Sequence, residues 1–216
     1  MSRSCVRADE MQLLDVLCQE ARSAGASNAV GISARDVVVN PRVRLKCQVP
    51  LCSHYGKSIM CPPNVMDVEE FLLYLERYRW GILLQLELPV PAEIVPKASD
   101  PPFVQRLSLG DFRAQPSHRD FRRKGKQLLS SVVNRVEGMA MRQGYHFAAG
   151  FVGGSCALCD VCTGPSNPEG CRKPFQARPA MEAVGIDVFS TAERAGIPLT
   201  HLPKDVIRWT GLVLVD

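Results

Sequence analysis

Aromatic residues are scarce in this 216-residue chain, at 6%, and histidine occurs four times. No stretch has the length and apolarity needed to span a bilayer; the best, Trp80 to Leu88, is interrupted by Gln85 and Glu87, so no membrane association is expected. The N-terminal residues carry no apolar stretch followed by a small-residue cleavage site, so no secretory signal is expected. One-sided charge is also lacking. Twenty-six Lys plus Arg against 22 Asp plus Glu leave +4, too little to point to nucleic acid. A Walker loop and a G-x-G-x-x-G fingerprint are both missing, which removes the usual grounds for expecting a nucleotide, flavin or nicotinamide site. His118, His146 and His201 have no partner spacing, and no Ser/His/Asp arrangement emerges.

What is present is cysteine. The balance of 46% hydrophobic and 22% charged residues is that of an ordinary globular protein, and the length allows a core that is stable by burial alone. Nine cysteines therefore ask for a chemical explanation. A cytoplasmic location is expected, where thiols stay reduced and clustered cysteines bind metal or react.

Helical periodicity covers Ala8 to Ala24, with Met11, Leu14, Leu17, Cys18 and Ala21 on one face and Gly25 at the end. Asn28–Ser33 and Val37–Asn40 are strand candidates, and Pro41 interrupts the second. Asp67 caps a helix running to Tyr78, and Arg79 to Leu88 is the strongest strand. Pro89 to Pro116 holds six prolines without periodicity, an excursion that could form a lid. Ser117 to Gln143 is the longest helix, Tyr145 to Val152 a strand, Arg178 to Ala195 helical, and Gly211 to Val215 a closing strand. Strand, long helix and strand across residues 79–152 suggest a βαβ-like crossover. The expected fold is one α/β domain over residues 1–216, a small mixed sheet flanked by helices, with cysteine-rich metal-binding loops at 47–63 and 153–174.

The sharpest motif is Cys156-x2-Cys159-x2-Cys162, preceded by Gly153-Gly154-Ser155 and followed by Cys171-Arg172-Lys173-Pro174. C-x2-C-x2-C lets one backbone turn present each thiolate to a different iron of a [4Fe–4S] cube. Eight residues separate the third and fourth cysteines, where the ferredoxin run has about three. The neighbouring glycines allow N–H groups to approach inorganic sulfides, and Arg172 and Lys173 favour thiolate. A zinc site would show two C-x2-C knuckles, and a third cysteine in one knuckle is surplus to a tetrahedron. The second constellation is Cys47, Cys52 and Cys61 in a Pro/Gly-rich loop, where His54 could complete a zinc site.

Setting aside Cys18 as core packing and Cys5 as a frayed terminus leaves seven candidate ligands, one short of two fully thiolate-bound cubes. One iron of a two-cluster protein is then open. By ferredoxin precedent Cys171 would join Cys47, Cys52 and Cys61, leaving Cys156, Cys159 and Cys162 with the open corner; otherwise Cys171 stays with its own run. Glu182 and Asp187 could hydrogen-bond near the metal loop, but read first as helix-end charges and caps. The basic run Arg119, Arg122, Arg123, Lys124 and Lys126 reads first as a solvated helix face, or else as a dock for an acidic electron carrier.

Both loops, with Ala177-Arg178-Pro179-Ala180-Met181-Glu182-Ala183-Val184-Gly185-Ile186-Asp187-Val188, resemble the "predicted metal-binding protein" family of bacteria and archaea. The likeness runs from Val37 to the C-terminal Asp216; the proline-rich excursion does not contribute. It implies metal binding, with iron–sulfur chemistry in anaerobic metabolism, and no particular reaction. Ala180 departs from the family's serine, and its methyl cannot cap a helix. Three functions are in contention: an iron–sulfur electron-transfer protein with a redox partner protein, an enzyme with an open iron, and a zinc-stabilised interaction protein.

Overall fold

The computed structural model describes residues 8–91, 116–199 and 206–216. Cys5, His201 and residues 92–115 of the proline-rich excursion lie outside the described residues.

Helix α1 spans Ala8–Ser23 and buries Leu13, Leu17, Cys18 and Ala21. Met11, expected on that face, is instead 57% exposed, and Leu13 occupies the core. Gly25 ends the helix with a φ of 109°, a conformation that costs glycine little. Strand β1 follows at Asn28–Ser33. Val37–Asn40 does not become a strand. Ala34–Asp36 forms a 3₁₀ turn, Val39 makes a single bridge to Ile186, and Pro41 opens helix α2 (Pro41–Leu45), capped by the Asn40 side chain. Proline at a first helical position is pre-organised for the turn, and that overrides the short apolar run before it.

Helix α3 (Val68–Leu75) starts at Asp67, whose carboxylate accepts from the Glu70 N–H at 2.8 Å. Strand β2 (Trp80–Pro89), the long helix α4 (Pro116–Arg142) and strand β3 (Ala149–Val152) come next. Strand β3 is shorter than expected because the chain turns at Tyr145, where Ala148 N–H donates to the Tyr145 carbonyl at 3.1 Å. The helical pattern from Arg178 to Ala195 divides in two. Met181–Val184 is a 3₁₀ turn that Ala180 caps with no side-chain bond, and Gly185, at φ 86°, closes it. Asp187 then caps helix α5 (Val188–Arg194). Strand β4 (Val206–Val215) begins five residues before the expected Gly211.

The four strands lie in the order β1-β2-β4-β3, and each hydrogen-bonded neighbour is antiparallel. Strands β2 and β3 both run against β4, hence parallel to one another, with α4 crossing between them. The expected βαβ-like crossover is therefore a split one, with β4 inserted between its two parallel strands. The only parallel pairing among the described residues is the bridge from Val152 to Ala180, so the expected mixed sheet is antiparallel in all its ladders.

Helices α1 and α4 cover one face of the sheet, packing Leu17, Leu129, Val133 and Val136 on Ile82, Leu84 and Val213. Helices α3 and α5 and the 181–184 turn cover the other, with Phe71, Met181, Val184 and Ile186 on Leu83, Leu212 and Leu214. Because both faces are buried, β2 and β4 read as near-continuous apolar runs. Close approach of α4 to β4 depends on Gly125: a Cβ there would lie 2.6 Å from the Trp209 ring.

Candidate metal centre

The first cysteine loop leaves α2 and is fixed at its root by Arg44, whose Nη1 donates to the carbonyls of Met66 (2.6 Å) and Ala183 (3.0 Å). Tight turns follow: Cys52 N–H donates to Cys47 O at 3.0 Å, and Cys61 N–H to Ser58 O at 3.2 Å. The second loop leaves β3 where Gly153 N–H donates to Thr210 O at 2.7 Å; Gly154 turns the chain through φ 75°. Helix α4 then grips it. Lys126 Nζ donates to Ser155 Oγ at 2.8 Å, Gln127 Nε2 to Ala157 O at 3.1 Å, and Arg123 pairs with Asp160. Farther on, Arg172 Nη1 donates to Val161 O at 3.2 Å. The loop ends at Arg178, which is ion-paired to buried Glu137.

The two loops enclose one cavity of about 1020 Å³, and Cys47, Cys52, Cys61, Cys156, Cys159, Cys162 and Cys171 all line it. The loops touch directly: Ile59 N–H and the Ser58 hydroxyl both meet the Cys162 sulfur, and Ser58 also bonds Cys61. Ala180 N–H donates to Met60 O at 3.2 Å. Cys61 feels the charges of Cys52 and Cys47, and Cys156 those of Cys171, Cys159 and Cys162. Cys171 thus lies near its own run, while Ser58 joins Cys61 to Cys162 across the two loops.

Cys61 is buried, Cys162 exposed, and the other five half-buried. Burial pushes the Cys61 thiol up to about 11; the Ser58 hydroxyl opposes this, and like charge from Cys52 and Cys47 adds to it. Cys47 is raised by burial, then by Cys52 and Glu182, with Arg44 opposing. Cys156 is raised chiefly by burial, against a Leu158 N–H donor. For Cys162 burial is the largest single influence and acts upward. Donors from Ile59, Gly164, Ser58 and Thr163 together outweigh it, and the thiol titrates below its ordinary value. Thiols held this close repel one another as thiolates; Lys126 offsets part of that at Cys61, and a bound metal would offset more.

Several side chains have roles different from those first expected. Arg119, Arg122, Arg123 and Lys126 border the cavity beside the cysteines; Arg119, Arg122 and Lys124 are exposed, as a solvated face would have them, and Arg123 and Lys126 are half-buried. Glu182 also lines the cavity. Both its oxygens accept from the Gly154 N–H, at 3.1 and 2.9 Å, and burial raises its carboxyl, opposed by that donor, its own N–H and Lys126. Asp187 is a helix cap, as read from the sequence, though it also borders the cavity. His54 lines the cavity, while His146 is exposed and apart from it; His118 stands in the first turn of α4. Cys18 is core. Ser58 and Lys126 were missed as site residues, and only the density of cysteine around Ser58 could have drawn attention to it.

Among the described residues no three His, Cys, Asp or Glu side chains converge tightly enough to hold a single metal ion. A single zinc draws four donors to about 2.3 Å, whereas a cube spreads its ligands over separate irons. The seven thiols around the cavity supply the donor chemistry that either metal would need.

Fold and site together define an α/β protein with a cysteine-lined cavity between two loops. The chain belongs to the family described as "predicted metal-binding protein", whose sequence profile matches residues 30–215. The resemblance read from the cysteine loops is to this same family, and metal binding is the property its description carries. No curated protein and no solved structure matches the chain. Among the described residues no helix is long and apolar enough to cross a membrane.

Proposed function

We propose that the chain binds two iron–sulfur clusters, one on Cys156, Cys159, Cys162 and Cys171 and one on Cys47, Cys52 and Cys61, and exchanges electrons with a partner protein in the cytoplasm. The observation that carries this reading is the gathering of seven thiols, from loops about a hundred residues apart, around one cavity. Bound clusters would supply one-electron chemistry. The chain's own residues supply thiolate ligands, N–H donors and countercharge: Lys46, Arg119, Arg122, Arg123, Lys126 and Lys173 border the site and offset the negative charge of thiolate-bound cubes. Direct contact of the loops keeps the two cysteine sets adjacent, as electron exchange between centres needs.

Reductive titration of anaerobically reconstituted protein tests the role. Uptake of roughly two electrons per chain, one for each cube, supports it. Protein that takes up none within the range of biological reductants is not an electron carrier.

A second reading is favoured by the three-thiol set. One corner there lacks a cysteine, and an iron at that corner could bind a small substrate and act as a Lewis acid. A change in the EPR signal of one cluster on adding cyanide, with the other unaltered, separates this reading from simple electron transfer.

A further inference from the structure

We infer that Glu182 supplies the eighth ligand, a carboxylate oxygen, at the corner left empty by Cys47, Cys52 and Cys61. The inference rests on the two-cluster reading and says which of the chain's own groups completes it.

Position comes first. Residues 180–183 are tied to both ends of the first cysteine loop: Ala180 N–H donates to Met60 O, next to Cys61, and Ala183 O accepts from Arg44, three residues before Cys47. Cys47 N–H in turn donates to Arg44 O at 2.9 Å. Glu182 lies between these two ties, lines the cavity, and is close enough to Cys47 for each to act on the other's charge. From the second cysteine loop the Gly154 N–H donates to both oxygens of the carboxylate.

Elimination comes second. Asp187 is occupied by the N–H and hydroxyl of Ser190 at 3.0 and 2.9 Å. Asp160 is paired with Arg123. Glu182 is engaged only by backbone donors, the Gly154 N–H and its own, with the Lys126 charge nearby, which leaves lone pairs for a metal cation. Lys126 already offsets part of the charge of this half-buried carboxylate, and an iron at the corner would offset more of it.

The test uses full-length Glu182→Gln and Glu182→Cys, reconstituted anaerobically beside the wild type, with iron counted and EPR recorded before and after reduction. Glutamine keeps the size and an oxygen acceptor for Gly154 but is a poor iron ligand; cysteine restores an anionic donor. The expected result is about eight irons in wild type and about seven in Glu182→Gln, from loss of the uniquely held iron of one cube. A three-iron EPR signal should then replace one cluster's signal, with the other intact, and Glu182→Cys should recover about eight. Unchanged iron and EPR in Glu182→Gln overturn the assignment, whether the corner is then held by His54 or open to solvent. Loss of both clusters in the glutamine variant also overturns it, since Glu182 would then be a tether of the Gly154 turn. A wild type holding zinc, or only about four irons, fails the two-cluster reading itself.

Discussion

Replacing Glu137 with alanine removes a carboxylate that is 8% exposed at its side chain and holds three donors. These are Gly150 N–H at 3.0 Å, Arg178 Nε at 2.7 Å, and Arg178 Nη2. The change leaves a guanidinium that is 18% exposed without its partner and an N–H of β3 unsatisfied. Breaking a buried pair in this way costs about 3–5 kcal/mol, a third or more of the stability of a typical domain. For a chain of this length that is a fall in Tm of roughly 6–20 °C. Thermal and urea unfolding of the metal-free protein, followed by far-UV circular dichroism, measure it. The double variant Glu137→Leu with Arg178→Met should recover most of the loss, because apolar groups of similar volume can replace a buried pair at little cost. Arg178 also ends the second cysteine loop, so the single variant should reconstitute poorly. A destabilisation under about 1 kcal/mol, the range of exposed ion pairs, would refute the assignment of this pair as a buried anchor.

Gly125→Ala gains up to about 1 kcal/mol in helix propensity but drives a methyl into Trp209, which costs about 1–3 kcal/mol; unfolding should show a net loss. In metal-free protein at pH 8, iodoacetamide should label Cys162 before Cys61, because Cys162 titrates below its ordinary value and Cys61 at about 11. Raising the pH toward 11 should bring Cys61 into the reaction; peptide mapping after timed quenching reads the order. Cys52→Ala and Cys159→Ala should each cost one cluster and leave the other, as iron content and EPR will show. Cys18→Ala should keep both and lose only about 1 kcal/mol of packing.

Much of this architecture was legible because period and punctuation agreed. Asn28–Ser33 was read to the residue, and Asp67, Gly25 and the run at Trp80 marked their elements clearly. Val37–Asn40 misled because a short apolar run carries less than a proline at a helix start. The place of β4 between β2 and β3 was not legible, since long-range pairing leaves no local signal. The cysteines themselves stood out by density. How they group was left open by the sequence, because spacing along the chain cannot say which sulfurs are neighbours in space. Glu182 and Lys126 were noted but ranked low for a related reason: each sits on an element whose pattern already had an ordinary explanation, a helix end and a basic helix face.

The measurement that bears most directly on the two-cluster proposal is the count of iron, acid-labile sulfide and zinc per chain in protein purified without oxygen. Two cubes predict about eight irons and eight sulfides per chain, with zinc at trace level. Two stoichiometric zincs and no iron would contradict the account and leave a zinc-stabilised interaction protein in its place.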